Sequence, residues 1–115
     1  MRIKRIGDAA PYSAPNHHDV GSLRLQGFEE GGPQKFWVGL SHYLPGGGAG
    51  PDSSPLEKVY VVLSGEIALH CKGETAVLGP MDSCCIGPGE IREVKNISNA
   101  VASILVVMPY PENAT

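Results

Sequence analysis

Histidine and cysteine are the side chains of this sequence that most readily take part in chemistry near neutral pH. Pro15–Asp19 is a polar segment in which His17 or His18 could act as a general base oriented by the aspartate. The alternative for this segment is a solvated turn. His42 is expected either to line a pocket or to be a hydrogen-bonded core residue, and His70 to lie at a rim. The cysteines are an odd number with two adjacent in sequence, which favours reduced packing thiols: Cys71, Cys84 and Cys85.

Two cationic side chains are predicted to point toward the protein interior. Side chains alternate between the two faces of a strand, so Lys58 shares a face with Tyr60 in the apolar run that follows it. By the same alternation Arg92 shares a face with Val94. Both cations therefore have apolar neighbours, which is unusual for lysine and arginine.

The elements that must position these residues are predicted to be strands. Glycine (15) and proline (10) interrupt every window in which a helix of ordinary length would fit. Pro45–Gly50 is predicted to be a loop without the lysine of a phosphate-binding loop. The expected architecture is an all-β sandwich or barrel in one domain, residues 1–115. Eight strands are expected: Ser22–Gln26, Lys35–Leu44, Val59–Leu63, Glu66–Cys71, Thr75–Leu78, Ser83–Ile86, Ile91–Lys95 and Ala100–Met108.

Charge and hydropathy exclude several classes of partner. Nine Lys plus Arg against twelve Asp plus Glu give a net charge of −3, which offers nothing to a nucleic acid or an anionic membrane surface. The longest apolar stretch, Val101 to Met108, is far shorter than the ~20 residues of a membrane-spanning helix. The first residues lack the apolar stretch of a secretory signal. The sequence therefore predicts a cytoplasmic protein with no nucleic-acid or membrane partner.

Two segments resemble the motifs of the cupin family of small β-barrels. The first, about residues 45–66, contains Pro45-Gly46-Gly47 and a strand that ends in Gly65. The second, about residues 78–96, contains Gly87-Pro88-Gly89 and ends in Asn96. The resemblance implies a single-domain jelly-roll β-barrel.

The resemblance also implies where a metal would be held, and the residues at those positions differ from the family pattern. The four positions are Asp52, Ser54, Lys58 and Arg92, with no histidine among them. Lysine and arginine offer no lone pair to a cation at neutral pH. Shifting the alignment by one residue brings Glu57 into one position but leaves Arg92 in place. We therefore expect no metal and no other cofactor.

A pocket holding these residues would recognise anions rather than a metal ion. Lys58 and Arg92 would lie beside an apolar wall, with Asp52 and Ser54 at the mouth and the Tyr60 hydroxyl as a further donor. The alternative is that the two cations only form an internal salt-bridge network with Glu57, Glu90 or Asp52.

Three functions remain open from the sequence. The first is a cofactor-independent lyase, isomerase or decarboxylase acting on a small anionic, carboxylate-bearing metabolite. In this reading Arg92 anchors the anion, Lys58 stabilises developing charge, and Asp52 or a histidine moves a proton. The expected substrate-binding residues are Tyr60, Ser54, His42, Glu57, His17 and His18. The second is a binding protein without turnover. The third is a metal-dependent cupin with a site rebuilt from His17, His18, His42 or His70. The resemblance further implies a homodimer.

Overall fold

The structure is a computed structural model that describes residues 1–111. The last four residues of the expected domain, 112–115, lie outside the described residues. Within 1–111 there is no α-helix, only a 3-10 turn at Ile6–Asp8, and no helix that could cross a membrane. Nine strands make up the fold: β1 (Ala10–Tyr12), β2 (His17–Gln26), β3 (Phe36–Asp52), β4 (Lys58–Ser64), β5 (Ile67–Cys71), β6 (Glu74–Leu78), β7 (Ser83–Ile86), β8 (Arg92–Lys95) and β9 (Ala102–Pro109).

The strands pair antiparallel in the order β6-β5-β8-β3-β9-β4-β7, with β2 pairing β3 and β1 added outside β2. β3 joins the two halves of this sheet. Its first half, from Phe36 to Tyr43, pairs with β9, and its second half, from Gly48 to Asp52, pairs with β8. The long strand therefore bends the sheet into the nearly closed barrel of a jelly roll.

All eight expected strands are present, but the sequence missed β1 and misjudged two neighbouring segments. Pro45–Gly50 was expected to be a loop, yet it continues β3, and the polar segment Pro15–Asp19 contains the start of β2. The glycines explain the first error. A Cβ on Gly48 would lie 2.6 Å from the carbonyl oxygen of Val94, so glycine is what lets the neighbouring backbone approach closely here.

The core lies between the two halves of the sheet. Its largest fully buried side chains are Tyr43, Ile67, Ile104, Val62, Val94 and Asn96. Asn96 follows β8, and its Nδ2 donates to the carbonyl oxygens of Tyr43 and Ala100 at 2.9 and 2.7 Å. Its Oδ1 accepts from the backbone N–H of Ser98 at 3.0 Å. These bonds satisfy the buried amide and fix the end of β8, the strand that begins with Arg92.

Candidate anion-binding cavity

A cavity of about 320 Å³ opens at one end of the barrel. Residues of β1, β2, β3, β4, β8 and β9 line it, together with residues 13–15 and 53–54 of the connecting segments. The residues that line it are Tyr12, Ser13, Ala14, Pro15, His17, Arg24, Trp37, Ser41, Tyr43, Asp52, Ser53, Ser54, Lys58, Tyr60, Arg92, Val106 and Met108.

Lys58 is the first residue of β4 and is only 6% exposed. It alternates with exposed Val59, so its side chain points into the cavity together with that of Tyr60. Within residues 1–111 no carboxylate forms an ion pair with it. Burial lowers the pKa of the Lys58 ammonium, Arg92 lowers it further, and Asp52 acts in the opposite direction.

Arg92 begins β8 and is 7% exposed. Its Nε donates to the hydroxyl oxygen of Tyr60 at 2.9 Å. Its Nη1 is buried and, among the described residues, has no hydrogen-bond partner. A buried donor without an acceptor typically costs about 1–3 kcal/mol, and more when it is charged. The guanidinium therefore presents an unused charged donor inside the barrel.

An internal salt-bridge network does not account for these two cations. Glu57 is exposed outside the cavity, and Glu90 instead pairs with Lys72 at 3.5 Å. Asp52 lies opposite Arg92 in the strand register, yet its Oδ1 accepts from the backbone N–H of Ser53 at 2.8 Å and makes no ion pair with the arginine. The cavity wall carries more positive than negative charge, although the chain as a whole is acidic.

His17 is the one histidine that lines the cavity. Its Nδ1 lies 2.8 Å from the carbonyl oxygen of Pro15, and because a carbonyl can only accept, Nδ1 carries the proton. Nε2 is then the free acceptor of the neutral ring. Burial lowers the pKa of His17, and the charges of Arg92 and Lys58 also lower it against the opposing effects of Pro15 and Asp52. The ring is therefore held neutral near pH 7.

Two tyrosines complete the inner wall. Burial raises the pKa of Tyr60 above its ordinary value, although the neighbouring Arg92 acts against this. Burial likewise raises the pKa of Tyr43, whose ring centroid lies 6.5 Å from that of His17. Both side chains are therefore neutral phenols near pH 7. The Tyr60 hydroxyl accepts from Arg92, which leaves its own proton available for a ligand.

Asp52 and Ser54 lie at the mouth of the cavity, where they were expected. Asp52 is exposed and Ser54 is half-buried. The Ser54 Oγ accepts from the backbone N–H of Leu56 at 3.0 Å, so its hydroxyl proton remains free to donate. Both residues therefore belong to the more solvent-accessible part of the cavity lining.

Four expected residues lie away from the cavity. Glu57 faces solvent because it alternates with Lys58. His18 is exposed, with Nε2 3.2 Å from the carbonyl oxygen of Gly46, and His70 is exposed beside Thr75. His42 pairs with the hydroxyl of Ser103 at 2.7 Å on the other face of β3. The expectation that Glu57, His18 and His42 line the pocket is therefore wrong, and the four histidines do not meet in one site.

The family of the chain is decided by its sequence match. A profile of the cupin domain matches residues 39–108. The chain belongs to the cupin family. It is 44% identical over 111 residues to a protein of Mycobacterium tuberculosis named beta-D-galactosidase Rv1717, and the match covers 96% of each chain.

Solved cupin structures share the fold. The polyketide cyclase RemF from Streptomyces resistomycificus superposes with a TM-score of 0.84 at 22% identity, over 95% of this chain and 79% of that one. A predicted oxalate decarboxylase from Thermotoga maritima gives 0.79 at 21% identity, over 96% and 100% of the two chains. KdgF from Halomonas sp. gives 0.79 at 9% identity, over 100% and 99%. At these identities the likeness concerns the fold alone.

The metal site implied by the cupin motifs does not fit this side-chain set. Two of the four positions carry Lys58 and Arg92, and both side chains line the cavity. A cation placed there would meet two positive charges and find only Asp52 and Ser54 as oxygen donors. Across residues 1–111, no three His, Cys, Asp or Glu side chains lie close enough together to hold a metal ion.

The sequence interpretation missed several lining residues, among them Tyr12, Arg24 and Trp37. On β3 the face with Trp37 and Tyr43 lines the cavity, whereas His42, which was expected to line a pocket or lie in the core, is on the opposite face. Both faces of this strand are rich in apolar residues, so alternation alone does not tell which one is inside. The glycine at position 39 was the one local indication that large side chains pack against this face of β3. A Cβ there would lie 2.6 Å from the Tyr12 hydroxyl oxygen and 2.8 Å from the Trp37 ring.

Proposed function

We propose that this cupin binds a small carboxylate-bearing metabolite between Lys58 and Arg92 and catalyses a proton transfer on it, as a lyase, isomerase or decarboxylase. The observation that carries the proposal is the buried Nη1 of Arg92, which has no partner among the described residues. An anion in the cavity would offset the charge of this guanidinium and of the neighbouring Lys58.

A carboxylate suits the shape of the site. Arginine presents a planar fork that matches the two oxygens of a carboxylate, and the bond from Nε to Tyr60 holds that fork in one orientation. Lys58 adds a compact charge with rotatable donors. Because both cations are largely removed from water, their attraction for an anion is screened less than at the surface.

The proton-transfer step is assigned to His17. The neutral ring, with Nδ1 bonded to Pro15, offers Nε2 as a base on the cavity side. Removing a proton next to a carboxylate or carbonyl places negative charge on oxygen, which Lys58 and the Tyr60 hydroxyl would stabilise. Asp52 at the mouth is the second candidate for moving a proton. A binding protein without turnover would use the same cations and differ only in the absence of this step.

The deciding experiment is a thermal-shift screen of wild type, Arg92→Ala and Arg92→Lys against small mono- and dicarboxylates. A ligand that binds only the folded state raises Tm by mass action. We expect Tm to rise for wild type and not for Arg92→Ala. Arg92→Ala should weaken binding at least tenfold because the bidentate contact is lost, and Arg92→Lys, which keeps the charge, should weaken it less but measurably. Lys95→Ala changes an exposed cation on the other face of β8 and is the matched control.

Two results would contradict the proposal. One is the absence of a Tm response to any carboxylate in wild type. The other is an equal response in wild type and Arg92→Ala, which would place the binding elsewhere. An enzyme would also turn over a carboxylate that raises Tm, and a binding protein would not. Exchange of a ligand proton with solvent measures this turnover. His17→Gln should abolish that exchange while keeping the Tm response.

A second candidate is hydrolysis of a β-galactoside, favoured by the 44% identity to the protein named beta-D-galactosidase. Most glycosidases use two carboxylates that flank the bond being cleaved. Among residues 1–111 the cavity wall contains one, Asp52. A hydrolase at this site would therefore pair Asp52 with a group of another type, and His17 is the candidate base.

Release of a chromophore from an aryl β-galactoside tests this candidate. Turnover by wild type that falls at least 100-fold in Asp52→Asn would support it. Asp19→Asn, at an exposed position outside the cavity, is the matched control. Equal turnover by the wild type and Asp52→Asn would contradict a role for this cavity.

We also propose that the protein is a cytoplasmic homodimer without a nucleic-acid or membrane partner. Three free cysteines suit a reducing compartment. β6 and β7 end the path of paired strands, and four of the five residues of β6 are exposed. Exposed strand edges commonly pair with another copy. Light scattering should give twice the monomer mass of 12.1 kDa, and a monomer would contradict the proposal.

A further inference from the structure

A third cation, Arg24, lines the cavity from a strand that is three positions away from that of Lys58 in the sheet order. Arg24, on β2, is half-buried, and its guanidinium carbon lies 3.8 Å from the ring centroid of Phe28 and 4.6 Å from that of Tyr12. The Trp37 centroid is 5.6 Å away. The ring centroids of Tyr12 and Trp37 lie 5.7 Å apart in an edge-to-face arrangement. The aromatic rings therefore pack around the guanidinium and hold it by cation–π contacts.

The rings interact with the faces of the guanidinium and leave its N–H groups unused. Within residues 1–111, Arg24 makes no ion pair with a carboxylate and no side-chain hydrogen bond. An arginine held only for packing would need no access to the cavity, yet Arg24 lines it. The ring contacts therefore orient the guanidinium, while its five N–H donors have no side-chain hydrogen-bond acceptor among the described residues.

The strand register limits the separation of the two cationic ends. Arg24 pairs with Gly39, Gly39 with Val106, and Val106 with Tyr60, the residue bonded to Arg92. Three strand spacings correspond to roughly 14 Å measured along the curved sheet, which is an upper limit for the distance between the Cα atoms of Arg24 and Tyr60. Both side chains reach inward from these positions, so their charged ends can approach more closely. Val106, Met108 and Trp37 contribute apolar surface to the lining of the same cavity.

We propose that Arg24 is a second anion subsite and that the ligand is an elongated dianion, with two anionic groups joined by an apolar spacer. This inference rests on the proposed function, because it places the first carboxylate at Lys58 and Arg92. It adds a length and a second charge to the substrate class. Three cations facing one exposed carboxylate, Asp52, leave the cavity with enough positive charge for two anionic groups.

Suberate and octanoate test the inference, since they have the same chain length and differ in the second carboxylate. Isothermal titration of the wild type should give a Kd for suberate at least tenfold lower than for octanoate. Arg24→Gln should remove this preference while leaving octanoate binding within twofold of wild type. Arg24→Lys keeps a cation beside the rings and should retain part of the preference for suberate. This variant provides the test if Arg24→Gln does not fold. Arg5→Gln, exposed outside the cavity, is the control.

The outcomes separate this inference from the proposed function. Equal binding of the two acids by wild type, with octanoate binding lost in Arg92→Ala, would overturn the second subsite and leave the first intact. A suberate preference that survives in Arg24→Gln and in Arg24→Lys would likewise overturn it. Failure of both acids to bind wild type would overturn this inference, whereas the proposed function would fail only if no carboxylate in the thermal-shift screen raised Tm.

Discussion

The guanidinium of Arg92 occupies the space that a side chain on Gly50 would fill. A Cβ on Gly50 would lie 2.7 Å from Nη1 and 2.5 Å from the carbonyl oxygen of Arg92, and the glycine has φ +85°. The position of the Arg92 guanidinium therefore depends on the absence of a side chain at Gly50 on the neighbouring strand, and this contact can be tested.

Gly50→Ala should lose both stability and carboxylate binding. An alanine at positive φ costs about 1–2 kcal/mol, and the collision adds to this while displacing the guanidinium. Gly46→Ala is the matched control, because Gly46 has φ +82° but nothing within 4 Å of its added Cβ. Denaturant unfolding should show a loss in both variants, whereas the Tm response to carboxylates should disappear only in Gly50→Ala. A full response in Gly50→Ala would contradict this placement of Nη1.

Tyr60→Phe should destabilise the protein without ligand by about 1–3 kcal/mol, because Nε of Arg92 would lose its acceptor in a buried place. A bound carboxylate can accept from the released Nε, so ligand should recover part of the loss. Chemical denaturation with and without a carboxylate measures both effects. Tyr110→Phe, which removes a hydroxyl outside the cavity, should show no recovery by ligand.

Lys58→Met should stabilise the protein without ligand at pH 7 and abolish its carboxylate response. The pKa of Lys58 in the folded state is below its ordinary value of 10.5, so the folded protein binds fewer protons than the unfolded chain between the two values. The free energy of unfolding of the wild type should therefore increase as pH rises through that window, and Lys58→Met should lack this increase. Lys95→Met, at an exposed position, should keep it.

The pKa of His17 should lie below 6.5 in the folded protein and rise when a carboxylate is added, because the anion offsets the charge of Arg92 and Lys58. Between the folded-state value and 6.5 the unfolded chain binds more protons, so the stability from this residue is lost as pH falls through that window. NMR titration of the ring measures both values. A pKa at or above 6.5 without ligand would contradict the proposed neutral base. His70→Gln, outside the cavity, should leave the carboxylate response unchanged.

Strand alternation was sufficient to predict that Lys58, Tyr60 and Arg92 face one cavity, because each alternates with an exposed or less buried neighbour. The same rule failed on β3, where both faces are apolar. Leu40 on the outer face is covered by other parts of the chain and is as buried as Trp37 on the inner one. Alternation of side chains therefore cannot show which of two buried faces of a strand lines the cavity.

The remaining misses have separate physical causes. β1 has three residues and includes Pro11, so neither its length nor its composition indicates a strand. The glycine run of β3 reads as a loop because the backbone contacts that require glycine come from β2 and β8, which are distant in sequence. Arg24 gave no local signal at all. Its role depends on rings from three other segments: Tyr12, Phe28 and Trp37.

The cavity wall built by β1 and β2 limits how the chain can be shortened. The family match begins at residue 39, after Tyr12, His17, Arg24 and Trp37, which all line the cavity. A fragment cut to the matched segment would leave one side of β3 without its partner and open the cavity to bulk water. Such a fragment would retain Lys58 and Arg92 but lose the base and the cation Arg24. Recombinant fragments and gene fusions should therefore keep the amino-terminal residues intact.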